Sequence, residues 1–167
     1  MTNPRPSVAD KRREFHRLHE SGCFVIPNPW DPGSARYLQG LGFKALATTS
    51  AGFAWSKARP DNGVTRDMVI AHLEEMVAAT DVPINADFES GFAADAAGVA
   101  KSVRRAVDTG VAGLSIEDST GDAARPLYSV DEAVDRIRAA RRAIVPPPPA
   151  TGPAEWLPFR DVFEVDG

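Results

Sequence analysis

The chain has 167 residues, 43% of them hydrophobic, and a formal net charge of −4, which suits one domain with a buried core. Its 19 Lys and Arg are scattered among 23 Asp and Glu, which argues against a nucleic-acid partner, and no apolar run is long enough to span a bilayer. One cysteine, Cys23, excludes an internal disulfide framework, and the polar N-terminus lacks a signal-peptide core, so a cytoplasmic protein is expected.

Ser7 and Asp10 open a first helix that carries Phe15 and Leu18 on one face and ends near Gly22. Cys23-Phe-Val-Ile-Pro-Asn28 reads as a buried strand, which places the cysteine in the core. Pro29 to Gly33 turns the chain into a short helix through Ala35, Tyr37 and Leu38, stopped by Gly40 and Gly42. Phe43 to Thr49 is a second strand, and a loop rich in Gly, Ser and Ala is expected from Ser50 to Val64. Thr65 caps a helix whose Val69, Leu73, Met76 and Val77 recur at helical spacing. Val82-Pro-Ile-Asn-Ala86 is a third strand. Val99, Val103, Ala106 and Val107 line the next helix, ended by Gly110, and Val111 to Ile116 is a fourth strand. Ser129 and Glu132 form a capping box for a last helix with Val130, Val134 and Ile137 facing inward.

Strict alternation of strand and helix after one extra helix predicts an α/β fold with a parallel sheet. Alternation alone leaves open whether the sheet curls toward a barrel or stays open and doubly wound. The pattern stops at Val145, because Pro146 to Pro149 cannot supply the amide donors of a core strand. Residues 1–145 are read as the domain, and 146–167 as a proline-rich break with an irregular tail bearing Trp156, Phe159, Val162 and Phe163. The break is either a linker or the mark of a chain cut short or out of frame relative to a longer ancestor.

Chemistry gathers at two strand ends. Asn85-Ala-Asp-Phe-Glu-Ser-Gly-Phe92 and Gly113-Leu-Ser-Ile-Glu-Asp118 are apolar runs that end in acids, so parallel pairing brings Asp87, Glu89 and Glu117 to one carboxyl-terminal edge. Asp87 and Glu89, two apart, share a face unless a bend intervenes. Several oxygens at one edge suit a divalent cation. The same acids could instead cap the following helices or pair with arginines, and both readings stand. Asp118 reads as a cap or a supporting partner. Asp61 either holds metal-bound water or starts a turn. The Thr48-Thr-Ser-Ala-Gly52 segment offers amides and hydroxyls that could cradle a carboxylate or phosphate, or form only a turn. His16, His19 and His72 lack metal-ligand spacing and read as surface or packing residues. No P-loop, dinucleotide or nucleophile-elbow motif occurs.

Four motifs in this order, Pro27-Asn-Pro-Trp-Asp-Pro-Gly-Ser-Ala35, Gly42-Phe-Lys-Ala-Leu-Ala-Thr-Thr-Ser-Ala-Gly52, Pro83-Ile-Asn-Ala-Asp-Phe-Glu-Ser-Gly91 and Gly113-Leu-Ser-Ile-Glu-Asp118, resemble the isocitrate lyase/phosphoenolpyruvate mutase superfamily. The resemblance runs from about Phe24 to Ala143. It implies a TIM-type (β/α)8 barrel with an N-terminal helix, present here as a partial, four-stranded barrel. Half a barrel would leave strand edges open and an apolar interior exposed. The resemblance also implies Mg2+, a small carboxylate or 2-oxo acid substrate, and cleavage of a C–C or P–C bond through an enolate. By position, Asp87 would be the principal metal ligand, Glu89, Glu117 and Asp61 would hold the metal's waters, and Thr49, Ser50 and Ala51 would bind the substrate carboxylate. The superfamily's lyases carry a cysteine, and its mutases a lysine, in the loop after the fourth strand. Here that loop, Ser119 to Leu127, has neither, which points away from isocitrate or 2-methylisocitrate cleavage. The alternative to a lyase-like enzyme is a non-catalytic half-barrel that binds metal or associates with itself. A homo-oligomeric or self-associating chain is expected in either case.

Overall fold

The structure is a computed structural model that describes residues 4–144. The expected break and tail, with the boundary at residue 145, lie outside the described residues. Helix α1 (Val8–Leu18) begins at a capping box: the Ser7 side chain accepts from the Asp10 amide, and Asp10 accepts from the Ser7 amide at 2.9 Å. Asp31 starts α2 (Pro32–Gly40) by accepting from the Ser34 amide at 2.8 Å, with proline at the first helical position, where no donor is lost. Thr49, Thr65, Asp95 and Ser129 cap α3 (Ser50–Ser56), α4 (Arg66–Ala79), α5 (Ala96–Asp108) and α6 (Val130–Ile144).

Strands β1 (Leu46–Ala47), β2 (Ile84–Asp87) and β3 (Gly113–Ser115) form a parallel sheet in that order. Leu46 pairs with Ile84, and Asn85, Ala86 and Asp87 pair with Gly113, Leu114 and Ser115. Alternation along β2 sends Ile84 and Ala86 into the core and turns Asn85 and Asp87 to the opposite face. The core joins these buried residues and Leu46 to Val69, Leu73 and Met76 of α4 and to Val99, Val103 and Ala106 of α5. A smaller cluster, Phe15 with Ala45 and Ala112, closes the amino-terminal end of the sheet. Gly113 is required there, because a Cβ would stand 2.6 Å from the Phe15 ring and 2.7 Å from the Asn85 side-chain oxygen.

Cations from the N-terminal region also tie it down. The buried Lys11 ammonium donates to the carbonyls of Val77 and Thr80 at the end of α4. Arg12 donates to Val107 (2.8 Å) and Val111 (3.0 Å) around the end of α5. Terminal helix carbonyls lack intrahelical donors and carry the negative end of the dipole, so cations suit them.

Several expectations are corrected. Among the described residues 23–28 form no strand. One backbone bond, from the Ala47 amide to the Pro27 carbonyl (3.1 Å), joins that segment to β1, with a side-chain bond from Asn28 to the Ala47 carbonyl (3.1 Å). Pro27 and Pro29 have no amide to extend the ladder, so the expected four-stranded partial barrel reduces to a three-stranded sheet. With that segment at the margin, Cys23 is exposed rather than in the core. The first seven residues of the expected Ser50–Val64 loop form α3, because capping by Thr49 and burial of Phe53 and Ala54 outweigh a composition that favours turns. On α6, Val130, Val134 and Ile137 face outward, and Arg136, Ala139 and Ala140 form the buried face. The face of β2 and β3 turned away from the core carries Asn85, Asp87, Gly113 and Ser115, so these strands do not present the apolar interior expected of a half-barrel.

Candidate metal centre

Asp87 ends β2 and is held from two directions. Its amide donates to the buried Thr48 hydroxyl (2.9 Å), and its Oδ2 accepts from the amide of Ser50, the first residue of α3 (2.7 Å). The carboxylate therefore locks the end of β2 to the start of α3.

Glu89 and Glu117 meet because the β2–β3 ladder continues past the strand ends. The Phe88 amide donates to the Ser115 carbonyl (3.1 Å), and the Glu117 amide donates to the Glu89 carbonyl (2.9 Å). A bend does intervene between Asp87 and Glu89: Glu89 has φ +45°, in the left-handed region. Its carboxyl group is inside the protein, with the residue 8% exposed and Oε1 lacking any hydrogen-bond partner. Leaving such a buried polar atom unpaired costs on the order of 1–3 kcal/mol. Asp61 lies in an exposed turn closed by a bond from the Gly63 amide to the Pro60 carbonyl (2.9 Å), and its Oδ1 accepts from the Asn62 amide (2.9 Å).

The acids act on one another. Burial, followed by the charges of Asp87, Asp61 and Glu117, pushes the Glu89 carboxyl up to about 7. Burial and the charges of Asp87, Asp61 and Asp118 raise Glu117 as well. No ion pair among the described residues includes Asp61, Asp87, Glu89 or Glu117. The caps of α5 and α6 come from Asp95 and Ser129, whereas Asp87 serves the first amide of α3, and none of the four acids pairs with an arginine among the described residues. Among the described residues, no three His, Cys, Asp or Glu side chains are arranged to clasp an ion directly.

The expected carboxylate cradle is partly committed to the fold. Thr49 uses its hydroxyl to accept from the Gly52 amide (3.3 Å), and the Ser50 amide is taken by Asp87, while Ala51 follows half-buried. The Trp30 indole lies against this segment: a Cβ on Gly52 would come within 2.4 Å of its Nε1. Trp30 and Trp55 meet edge to face at 5.7 Å, and both remain exposed.

The sequence model of phosphoenolpyruvate phosphomutase matches residues 15–146. The chain belongs to the isocitrate lyase/phosphoenolpyruvate mutase superfamily. It is 33% identical over 150 residues to an oxaloacetate decarboxylase of Pseudomonas entomophila (strain L48), covering 85% of this chain and 52% of that protein. Among solved structures it resembles a lyase/mutase-type protein of Burkholderia cenocepacia J2315, with a TM-score of 0.80 and 48% identity over 82% of this chain and 50% of the other. It also resembles a 2,3-dimethylmalate lyase of the superfamily, with a TM-score of 0.70 and 31% identity over 84% and 50% of the two chains. The chain spans about half the length of these relatives.

In this superfamily member the loop after β3 is a compact one. Ser119 and Leu127 form an antiparallel bridge, the Thr120 amide donates to the Pro126 carbonyl (2.9 Å), and the Tyr128 amide donates to the Asp118 carbonyl (2.8 Å). Asp118 thus contributes its backbone to the neck of the loop. Sequence reading placed Thr48 in the anion cradle, whereas its hydroxyl serves Asp87. It missed Arg136 altogether, since an arginine amid polar helix residues gives no sign that it turns inward.

Proposed function

We propose that this chain carries a Mg2+-dependent, lyase-like site for a small carboxylate or 2-oxo acid, cleaving a C–C or P–C bond through an enolate. The observation that carries this reading is the Glu89 carboxyl, buried with an unpaired oxygen and surrounded by Asp87, Asp61 and Glu117 without a compensating cation. Such an oxygen fits a hydrated cation. Mg2+ retains several of its waters when protein-bound, so acids not placed to chelate together suit it through those waters. Asp87 would hold the ion, and Glu89, Glu117 and Asp61 its waters. Bound there, the ion supplies positive charge that favours a developing enolate oxygen.

The chain's own residues position this chemistry. The Ser50 amide and Thr48 hydroxyl fix Asp87, and the Thr49–Ser50–Ala51 segment beside it is the proposed seat of the substrate carboxylate. Relatives named for oxaloacetate and 2,3-dimethylmalate, both small dicarboxylates, support the substrate class. A Mg2+ titration followed by thermal unfolding tests the site. Mg2+ should raise the melting temperature of the wild type and not that of Asp87→Ala; an equal rise in both rejects the assignment. Product release from oxaloacetate and substituted malates, with Mg2+ and with EDTA, tests turnover. Mg2+ binding without reaction of any of these acids would reduce the chain to a metal-binding one.

A further inference from the structure

Helix α6 carries a buried arginine that the proposed chemistry does not use. Arg136 is 4% exposed and pairs with no acid among the described residues. Its guanidinium instead gathers carbonyls from the loop between β2 and α5. One terminal nitrogen donates to Ser90 (2.6 Å) and Ala93 (2.8 Å), and the other to Ala94 (3.3 Å). The Tyr128 ring lies 4.1 Å from the guanidinium carbon on one side. The same arginine lines a cleft of about 350 Å3 together with Glu117, Asp118 and Ser119, so it stands between α6 and the acid-bearing edge.

The loop it grips has an unfavourable backbone. Residues 88–95 pass through Glu89 (φ +45°), Gly91 (φ +86°) and Phe92 (φ +52°), and two of these are not glycine. Left-handed conformations of such residues persist only where the surroundings hold them. On the near side, the Glu117 amide holds the Glu89 carbonyl; on the far side, the guanidinium holds Ser90, Ala93 and Ala94. Glu89 lies between the two clamps. A planar fork can reach three carbonyls at once, which a lysine ammonium on a flexible stem cannot do with the same geometry.

We infer that Arg136 is a positioning residue, clamping the Ser90, Ala93 and Ala94 carbonyls so that the backbone turn keeps Glu89 in the acid cluster. The clamp is independent of what the cluster binds; its consequence for binding rests on the metal reading above. Hydrogen exchange and Mg2+ titration of the full chain test it, using wild type, Arg136→Lys and Arg136→Met. Amides of residues 89–94 should exchange at least tenfold faster in Arg136→Met, with α1 and α2 little changed. The apparent Mg2+ affinity should fall at least tenfold, and Arg136→Lys should lie between wild type and Arg136→Met. Unchanged loop exchange in both variants overturns the inference, as does a loosened loop with full Mg2+ affinity. If Arg136→Met fails to fold, Arg136→Lys gives the same two readouts. A wild type that ignores Mg2+ while the variants loosen the loop leaves the clamp standing and removes the metal reading.

Discussion

Glu89 sets stability against the proposed binding, and pH separates the two. Its carboxyl is raised in the folded chain from an ordinary 4.5 to about 7, first by burial and then by Asp87, Asp61 and Glu117. The folded state therefore holds a proton that the unfolded state has released across that interval. The stability associated with this proton is complete below 4.5 and is lost as pH rises through 7. In EDTA, the melting temperature of Glu89→Gln should gain on that of the wild type between about pH 4.5 and 7, the window set by these values; parallel curves would show that Glu89 is not the titrating group. A cation competes with the same proton, so apparent Mg2+ affinity should climb over this interval and level off above it. A titration flat in pH would place the ion elsewhere.

At the scale of elements, the attachment of α1 gives a second test. Gly113 belongs to the motif that leads to Glu117, yet its lack of a side chain serves Phe15 at the other end of the sheet. Gly113→Ala should force that ring aside and destabilise the protein by about 1–3 kcal/mol, with faster exchange in α1. Lys11→Met removes a charged donor from the Val77 and Thr80 carbonyls and should cost about 1.5–3 kcal/mol in denaturant unfolding. A neutral result for both would mean that α1 is not coupled to the sheet. These elements also show what the sequence could reveal. Caps at Ser7, Thr65 and Ser129, together with the periodic apolar faces of α4 and α5, are local signals, and they located helices correctly. Alternation gave parallel strands, and the barrel implied by the resemblance gave the order β1, β2, β3. One failure was local, since Pro27 and Pro29 withhold the donors that a strand at 23–28 needed; another was tertiary, since burial of Phe53 makes a helix of small residues. On the inward face of α6, Arg136 is held by carbonyls of a distant loop and Ala140 packs into the core. The sequence placed Asp87, Glu89 and Glu117 near the ends of β2 and β3, but not the left-handed turn that buries Glu89.

At the scale of the whole molecule, the described residues leave apolar surface in a concentrated place. α6 turns Val130 (79% exposed), Val134 (37%) and Ile137 (43%) outward at helical spacing. Among the described residues β3 ends the sheet and pairs with β2 on one side only. An unpaired strand edge together with an apolar helix face is a surface on which chains associate. The 167-residue chain should therefore show concentration-dependent self-association in sedimentation velocity. Because apolar burial drives it, the association should persist or strengthen in added sulfate, where a charge-driven contact would weaken. Val130→Lys with Val134→Lys should shift the chain toward monomer, and the Mg2+-dependent rise in melting temperature should survive, since neither side chain belongs to the acid cluster. A wild type that stays monomeric at all concentrations would mean that this surface is inert in solution. If the double variant becomes monomeric and loses the Mg2+ response, the acid edge depends on association as well as on β2, β3 and the Arg136 clamp.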